Sequence, residues 1–222
     1  MKQVAPTIPQ APNLQALRQQ LRVNAFSQVR SGAVVGSGFV LLDEALPQQG
    51  WSAGVTELLL SHPVTQELSL LLPALVGVQQ QGRWGVLVNP PAIPYAPGLQ
   101  GSGVDLSRLV IIREQNEPNA KDNAAWACEQ LLQSQSCGVI VAWFDPRKLQ
   151  TLRRLQLLAK AQNSLLFLCR PLSALRQSSV AQARIELQPQ VDGLSLTIHK
   201  IQGEIRRPQL SLSWPRREKD GA

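Results

Sequence analysis

Aromatic residues and metal-binding side chains are scarce in this chain. Phe, Trp and Tyr together make up 5% of the 222 residues, and His62 and His199 are the only histidines. The three cysteines, Cys128, Cys137 and Cys169, form no CxxC pair. The sequence therefore offers too few ligands for a structural zinc site, and a broad base-stacking platform is not indicated. We expect three buried free thiols, no metal and no cofactor.

A bilayer-spanning segment is also lacking. The most apolar stretch, LSLLLPALVGV (68–78), is shorter than the roughly 20 residues that cross a membrane. No stretch near residue 1 combines a basic start with a long apolar run. We therefore expect a cytoplasmic protein without a membrane partner.

Positive charge is in excess over negative charge. Lys and Arg number 22 against 15 acidic residues, which gives a net charge of +7, and the excess gathers at 147–160 and 206–219. This favours an anionic partner, most simply single-stranded DNA, although a solvated basic face has the same composition. Guanidinium groups suit phosphate, so the candidate DNA contacts are Arg206, Arg207, Arg216 and Arg217.

The basic stretch 147–160 has a second interpretation. Its leucines, Leu149, Leu152, Leu155 and Leu158, recur at helical spacing. We favour an amphipathic helix with these leucines inward and a solvated outer face. Arg153 and Arg154 are the alternative phosphate contacts on that face.

Short apolar runs alternate with helical patterns through most of the chain, which predicts β-α-β units and a mostly parallel sheet. The predicted strands are 55–60, 84–89, 108–113, 138–143 and 164–169, and the predicted helices are about 66–81, 120–135 and 147–162. We expect 55–60 and 138–143 to be neighbours in that sheet. After Pro171 apolar and polar residues alternate, which predicts a C-terminal antiparallel extension over about 182–214.

The segment ELLLSHPVTQELSLLLPAL (57–75) has the outline of a phosphate-binding loop: an apolar strand, an eight-residue turn and a helix. Such a turn reads GxxxxGK[ST], because glycines let backbone N–H groups surround the phosphates while Lys and a hydroxyl bind charge and magnesium. Here Ser61 and Gln66 replace the glycines, Glu67 stands at the Lys position and Leu68 at the hydroxyl position. The loop is therefore degenerate as a nucleotide site.

The magnesium position is also altered. A P-loop enzyme needs an acidic residue on a later strand, and the strand VIVAW ends in Trp143 at that place. We do not expect Asp145, two residues further on, to hold a metal. The sequence predicts no ATP hydrolysis, no tight binding of magnesium nucleotide and no other enzymatic activity.

Several segments resemble the RecA core. SGFVLLDEALPQQGWSAGVTELLL (37–60) is similar to its lead-in, and GVDLSRLVIIREQN (103–116), CGVIVAW (137–143) and TIHKIQGEIRRPQLSLSW (197–214) are similar to later strands. The resemblance implies an N-terminal helix and strand lead-in (1–36), a RecA-like α/β domain with a degenerate P-loop (37–214), and a disordered basic tail (215–222).

Two branches of that superfamily lack a good P-loop, the ImuA proteins of mutagenic translesion synthesis and the cell-division inhibitor SulA. ELSLLLPALVGVQQQGRW (67–84) and FLCRPLSALRQSS (167–179) are similar to both. NPPAIPYAPGLQGSGVDLSRL (89–109) resembles the ImuA pattern P-x-x-PYAP-x-L, so ImuA is preferred and SulA is the alternative.

The ImuA resemblance implies a non-catalytic accessory protein of the SOS response to DNA damage, associated with the nucleoid. Its partners would be RecA, an ImuB-type Y-family polymerase homologue and, indirectly, an error-prone polymerase III α-subunit homologue. The SulA alternative implies instead a protein that blocks polymerisation of FtsZ.

Leu14, Leu17 and Leu21 form one apolar stripe of a predicted N-terminal helix at about 12–24. In RecA-like assemblies a helix ahead of the core docks on the neighbouring protomer, so the stripe is a candidate partner-binding surface. Packing on the chain's own core is the other use of such a stripe.

Replacing two residues of the stripe separates these uses. If the stripe is an interface, Leu14→Glu with Leu17→Glu leaves the thermal midpoint nearly unchanged and abolishes pull-down of RecA. If it is core, the same change lowers stability by about 2–5 kcal/mol, because it buries unpaired charge.

Overall fold

The computed structural model describes residues 34–62, 66–113, 120–146, 148–201 and 208–214, without the side chains of residues 120–122. Eight strands within these residues form one sheet. They are β1 (Gly54–Leu60), β2 (Trp84–Val88), β3 (Leu109–Ile112), β4 (Cys137–Trp143), β5 (Leu165–Pro171), β6 (Ala183–Gln190), β7 (Gly193–Ile201) and β8 (Gln209–Ser213). The predicted lead-in up to residue 33 and the tail 215–222 lie outside the described residues.

Helices connect the strands and cover both faces of the sheet. They are α1 (Val40–Ala45), α2 (Glu67–Gln80), α3 (Ala96–Gly101), α4 (Ala120–Gln133) and α5 (Leu149–Ala161), with 3₁₀ helices at Leu106–Arg108 and Leu172–Arg176. Helices 66–81, 120–135 and 147–162 were predicted to within two residues at each end. The α/β class is confirmed.

The strand order is β3-β2-β4-β5-β1-β6-β7-β8. The first six strands of this order, from β3 across to β6, are parallel. Strands β6, β7 and β8 form the antiparallel extension that was predicted. The prediction that 55–60 and 138–143 are neighbours is wrong, because β5 lies between β1 and β4. An apolar run indicates that a strand is buried. The order of the strands in the sheet is set instead by the paths of the helical connections, which the run does not indicate.

The two faces of the sheet carry separate apolar clusters. On the first face, α1 and α2 pack over residues such as Leu58, Phe167 and Leu196. Helix α2 approaches β4 so closely that a Cβ at Gly138 would lie 2.1 Å from Val78 Cγ1, which explains the glycine there. On the second face, α4 and α5 pack over residues such as Ile140 and Leu166.

Helix α5 is amphipathic, as predicted. Leu152 and Leu155 are buried, and Leu149 and Leu158 pack against the second-face cluster. The three cysteines are buried and free. No helix within the described residues is long and apolar enough to cross a membrane.

Candidate functional site

The carboxyl ends of β1, β2, β4 and β5 lie at one edge of the sheet, because these strands are parallel. Helix α2 begins at this edge, directly after the loop that follows Leu60. Ligands of parallel α/β sheets bind in the crevice beyond such carboxyl ends. This carboxyl edge is therefore the first place to look for a site.

The structure joins the two positions at which the sequence departs from a nucleotide site. Trp143 Nε1 donates a hydrogen bond to Glu67 Oε1 over 2.9 Å. Glu67 is only 4% exposed, although it lies in the first turn of α2. The two residues that the sequence predicted at the Lys and magnesium positions of a P-loop are thus hydrogen bonded to each other.

A second tryptophan engages the residue before Glu67. Trp214 Nε1 donates to Gln66 Oε1 over 2.7 Å. The Trp214 ring packs edge-on against Phe39, with ring centroids 5.8 Å apart. Residues from the end of β8 and the start of α1 therefore meet at the beginning of α2.

The charge at the start of α2 is negative. The amino end of a helix carries a partial positive charge that attracts anions, and here the Glu67 carboxylate lies within that first turn. Burial raises the pKa of the neighbouring Cys169 thiol well above its ordinary value, and Glu67 raises it further. A polyphosphate at this position would meet a carboxylate instead of a lysine.

A buried ionic cluster lies on the second face of the sheet. Glu57, in the middle of β1, is 0% exposed and accepts hydrogen bonds from Arg170 Nη1 and, over 2.6 Å, from Arg184 Nε. Arg170 also donates from Nε to Asp145 Oδ1 over 2.8 Å. Two carboxylates therefore neutralise two guanidinium groups, and Asp145 is an ion-pair partner of Arg170.

The ionic cluster also holds the connection from β5 to β6. Arg184 Nη2 donates to the Ala174 carbonyl over 2.7 Å, and Arg170 Nη2 donates to Gln177 Oε1 over 2.7 Å. The pKa of nearby Lys200 is lowered by burial and by Arg184, while Glu57 opposes the shift. Sequence reasoning missed this cluster. The available signal was charge inside apolar strand runs, as in VTELLL and FLCRPL, because a buried charge requires a partner.

An exposed apolar loop follows β2 at the carboxyl edge. We call residues 91–97, PAIPYAP, the apolar loop. Ile93 is 69% exposed and Tyr95 is 76% exposed. No charged residue occurs from Trp84 to Val104. The loop lies within the segment that resembles ImuA, but its exposure was not predicted.

The remaining predicted site residues are described only in part. Ser61 is described, with its hydroxyl 3.1 Å from His62 Nδ1. Leu68 is partly buried against the first-face cluster. The predicted DNA contacts and the predicted partner-binding stripe lie outside the described residues, and these are Arg206, Arg207, Arg216, Arg217, Leu14, Leu17 and Leu21.

Comparison with known proteins finds cell division inhibitors among the relatives of this chain. No family model matches the chain. The cell division inhibitor SulA of Yersinia enterocolitica is 29% identical over 119 residues, which are 54% of this chain and 68% of that protein. The cell division inhibitor SulA of Pseudomonas aeruginosa is 32% identical over 120 residues, which are 50% of this chain and 70% of that protein. The chain belongs to the SulA family.

Membership of the SulA family reverses the preference for ImuA over SulA. The comparisons support SulA, which was the alternative in the sequence analysis, whereas the assignment to ImuA stays a prediction. The matches to SulA cover about half of this chain.

The ionic cluster yields a stability prediction. Glu57→Gln removes the central carboxylate and leaves Arg184 buried without its charged partner, so we expect stability to fall by about 3–5 kcal/mol. The matched control is Glu44→Gln, the same exchange at an exposed position, which should change stability by less than about 0.5 kcal/mol. Urea unfolding measures both, and equal effects would show that the ion pairs of Glu57 contribute little.

Proposed function

We propose that this chain is a non-catalytic, protein-binding member of the SOS response that inhibits cell division by binding FtsZ and blocking its polymerisation. Membership of the SulA family supports the biological role. The observation in the structure that supports protein binding is the exposed apolar loop, with Ile93 and Tyr95 projecting at the carboxyl edge.

The composition of the apolar loop suits a protein contact. Pro91, Pro94 and Pro97 restrict its backbone, which lowers the entropy that binding must remove. An exposed tyrosine beside an isoleucine is the kind of side-chain pair that anchors protein interfaces. A partner with an apolar cleft free of charged groups would complement this loop.

The start of α2 supports the non-catalytic part of the proposal. Glu67 is hydrogen bonded to Trp143 and Gln66 to Trp214, so the side chains beside a would-be phosphate are already engaged with each other. The acidic residue nearest to the magnesium position, Asp145, pairs with Arg170. These groups stabilise the fold at the place where a nucleotide enzyme needs free charge.

Nucleotide binding tests the non-catalytic part. In isothermal titration with ATP and magnesium we expect no micromolar binding, because Glu67 would repel the phosphates. Micromolar binding that is abolished by changes in residues 61–68 would contradict the proposal.

FtsZ polymerisation tests the biological part. We expect the chain to suppress light scattering by FtsZ with GTP, and Ile93→Asp with Tyr95→Asp to require at least about a tenfold higher concentration, because anchor residues of this kind contribute about 2 kcal/mol or more. Val191→Asp is the matched control, since Val191 is 98% exposed on a different turn.

The outcomes of this assay separate two errors. If the unaltered chain leaves FtsZ polymerisation unchanged, the proposed function is wrong. If it inhibits but the Ile93 and Tyr95 variant inhibits equally well, the contact surface lies elsewhere.

A second candidate is the ImuA role in translesion synthesis, with RecA and an ImuB-type polymerase homologue as partners. The observation that favours it is the segment 89–109, which carries the PYAP pattern and forms the exposed apolar loop. Pull-down against FtsZ and ImuB in parallel discriminates the two, and capture of ImuB without FtsZ would replace the first proposal by the second.

A further inference from the structure

The outer face of α5 carries charge of one sign. We define the α5 face as Lys148, Arg153, Arg154, Leu157 and Lys160, which are all exposed. The four members within the helix point outward because Leu152, Leu155 and Ala159 occupy its inward stripe. Lys148 is exposed at the N-cap position, directly before the helix. Helix α5 contains no acidic residue.

Little of this charge is compensated within the described part of the chain. Arg154 Nη2 lies 2.9 Å from Glu129 Oε2 on α4, and the Arg154 side chain remains 63% exposed. Among the described residues, no carboxylate forms an ion pair with Lys148, Arg153 or Lys160. The α5 face therefore keeps an excess of about three positive charges in water.

An exposed aromatic side chain lies on α4, the helix that is paired to α5 through Glu129 and Arg154. Trp126 is on α4, one helical turn before Glu129, and it is 43% exposed. Because Glu129 bonds to Arg154, this turn of α4 adjoins the basic side chains of α5. Leu157 is 69% exposed and adds apolar surface among the cations.

We propose that the α5 face and Trp126 bind single-stranded nucleic acid, with the cations on successive phosphates and Trp126 stacked on a base. The positions from Lys148 to Lys160 extend over about 18 Å, which is the length of a few nucleotides of an extended single strand. Stacking on a partly exposed indole needs an unpaired base, which favours a single strand over a duplex. This inference is independent of the proposed action on FtsZ.

An acidic protein segment is the other anionic partner that could cover these cations. Trp126 favours nucleic acid, because every base offers a ring face to stack on. Arg153 and Lys160 are seven residues, or two helical turns, apart and therefore project from the same side of α5.

The test measures binding of the full chain to a labelled 20-residue oligothymidylate by fluorescence anisotropy across about 20–200 mM salt. Each lost phosphate contact on a single strand makes the slope of log K against log salt shallower by about 0.7. Arg153→Gln with Lys160→Gln should therefore reduce the slope by about 1.4. Arg113→Gln with Arg176→Gln, which removes two exposed cations elsewhere, should leave it unchanged.

Stacking has a separate readout. Trp126→Leu should weaken binding about tenfold without changing the salt slope, since base stacking contributes about 1–3 kcal/mol. Trp126→Phe should lose less affinity, because it keeps a ring. Unchanged thermal midpoints confirm that all of these variants are folded.

Three results would overturn the inference. The first is no binding at 20 mM salt up to about 100 µM protein. The second is an equal change of slope in the Arg113 and Arg176 control. The third is a duplex affinity as high as the single-strand affinity. Absence of oligonucleotide binding together with binding of an acidic peptide would assign the α5 face to a protein partner.

Discussion

The buried carboxylate of Glu57 is the constraint on which the centre of the fold depends. An ionised side chain with no exposure is tolerated only when it is paired, and Glu57 has partners on both sides, Arg170 from β5 and Arg184 from β6. The order β5-β1-β6 and the ion pairs therefore require each other. The same arginines bind the 3₁₀ connection that crosses β1, so one charge fixes two strand neighbours and one crossover.

A buried carboxylate, Glu67, also has a partner at the start of α2, but the partner binds it by a hydrogen bond instead of an ion pair. A carboxylate in the first turn of a helix stabilises that helix, and here the Trp143 indole satisfies it. The positive end of α2 therefore already has an anion, the Glu67 carboxylate. The two surfaces that we propose for binding, the apolar loop and the α5 face, consist mainly of exposed side chains that the core does not use.

Sequence reasoning recovered the main strands and helices and the antiparallel extension, but not the order of the strands. Continuous apolar runs located β1, β4 and β5 to within two residues, since strands buried on both faces have that composition. The same runs do not indicate which strands are neighbours, so the position of β5 between β1 and β4 was not predicted. At the site, the P-loop motif predicted that Glu67 and Trp143 do not suit a nucleotide, and this stays a prediction. Their mutual hydrogen bond could not be predicted, because 76 residues separate them in the sequence.

The two surfaces proposed for binding differ in charge, so salt concentration should affect their contacts with partners differently. The apolar loop is uncharged, so its contact with a partner should persist at salt concentrations that screen ions. The α5 face would hold phosphates through its cations, so this part of its contact must weaken steeply as salt rises. The two surfaces share no residue and belong to different elements. Their contributions should therefore be nearly additive, and a protein partner and a nucleic acid strand need not compete for the chain.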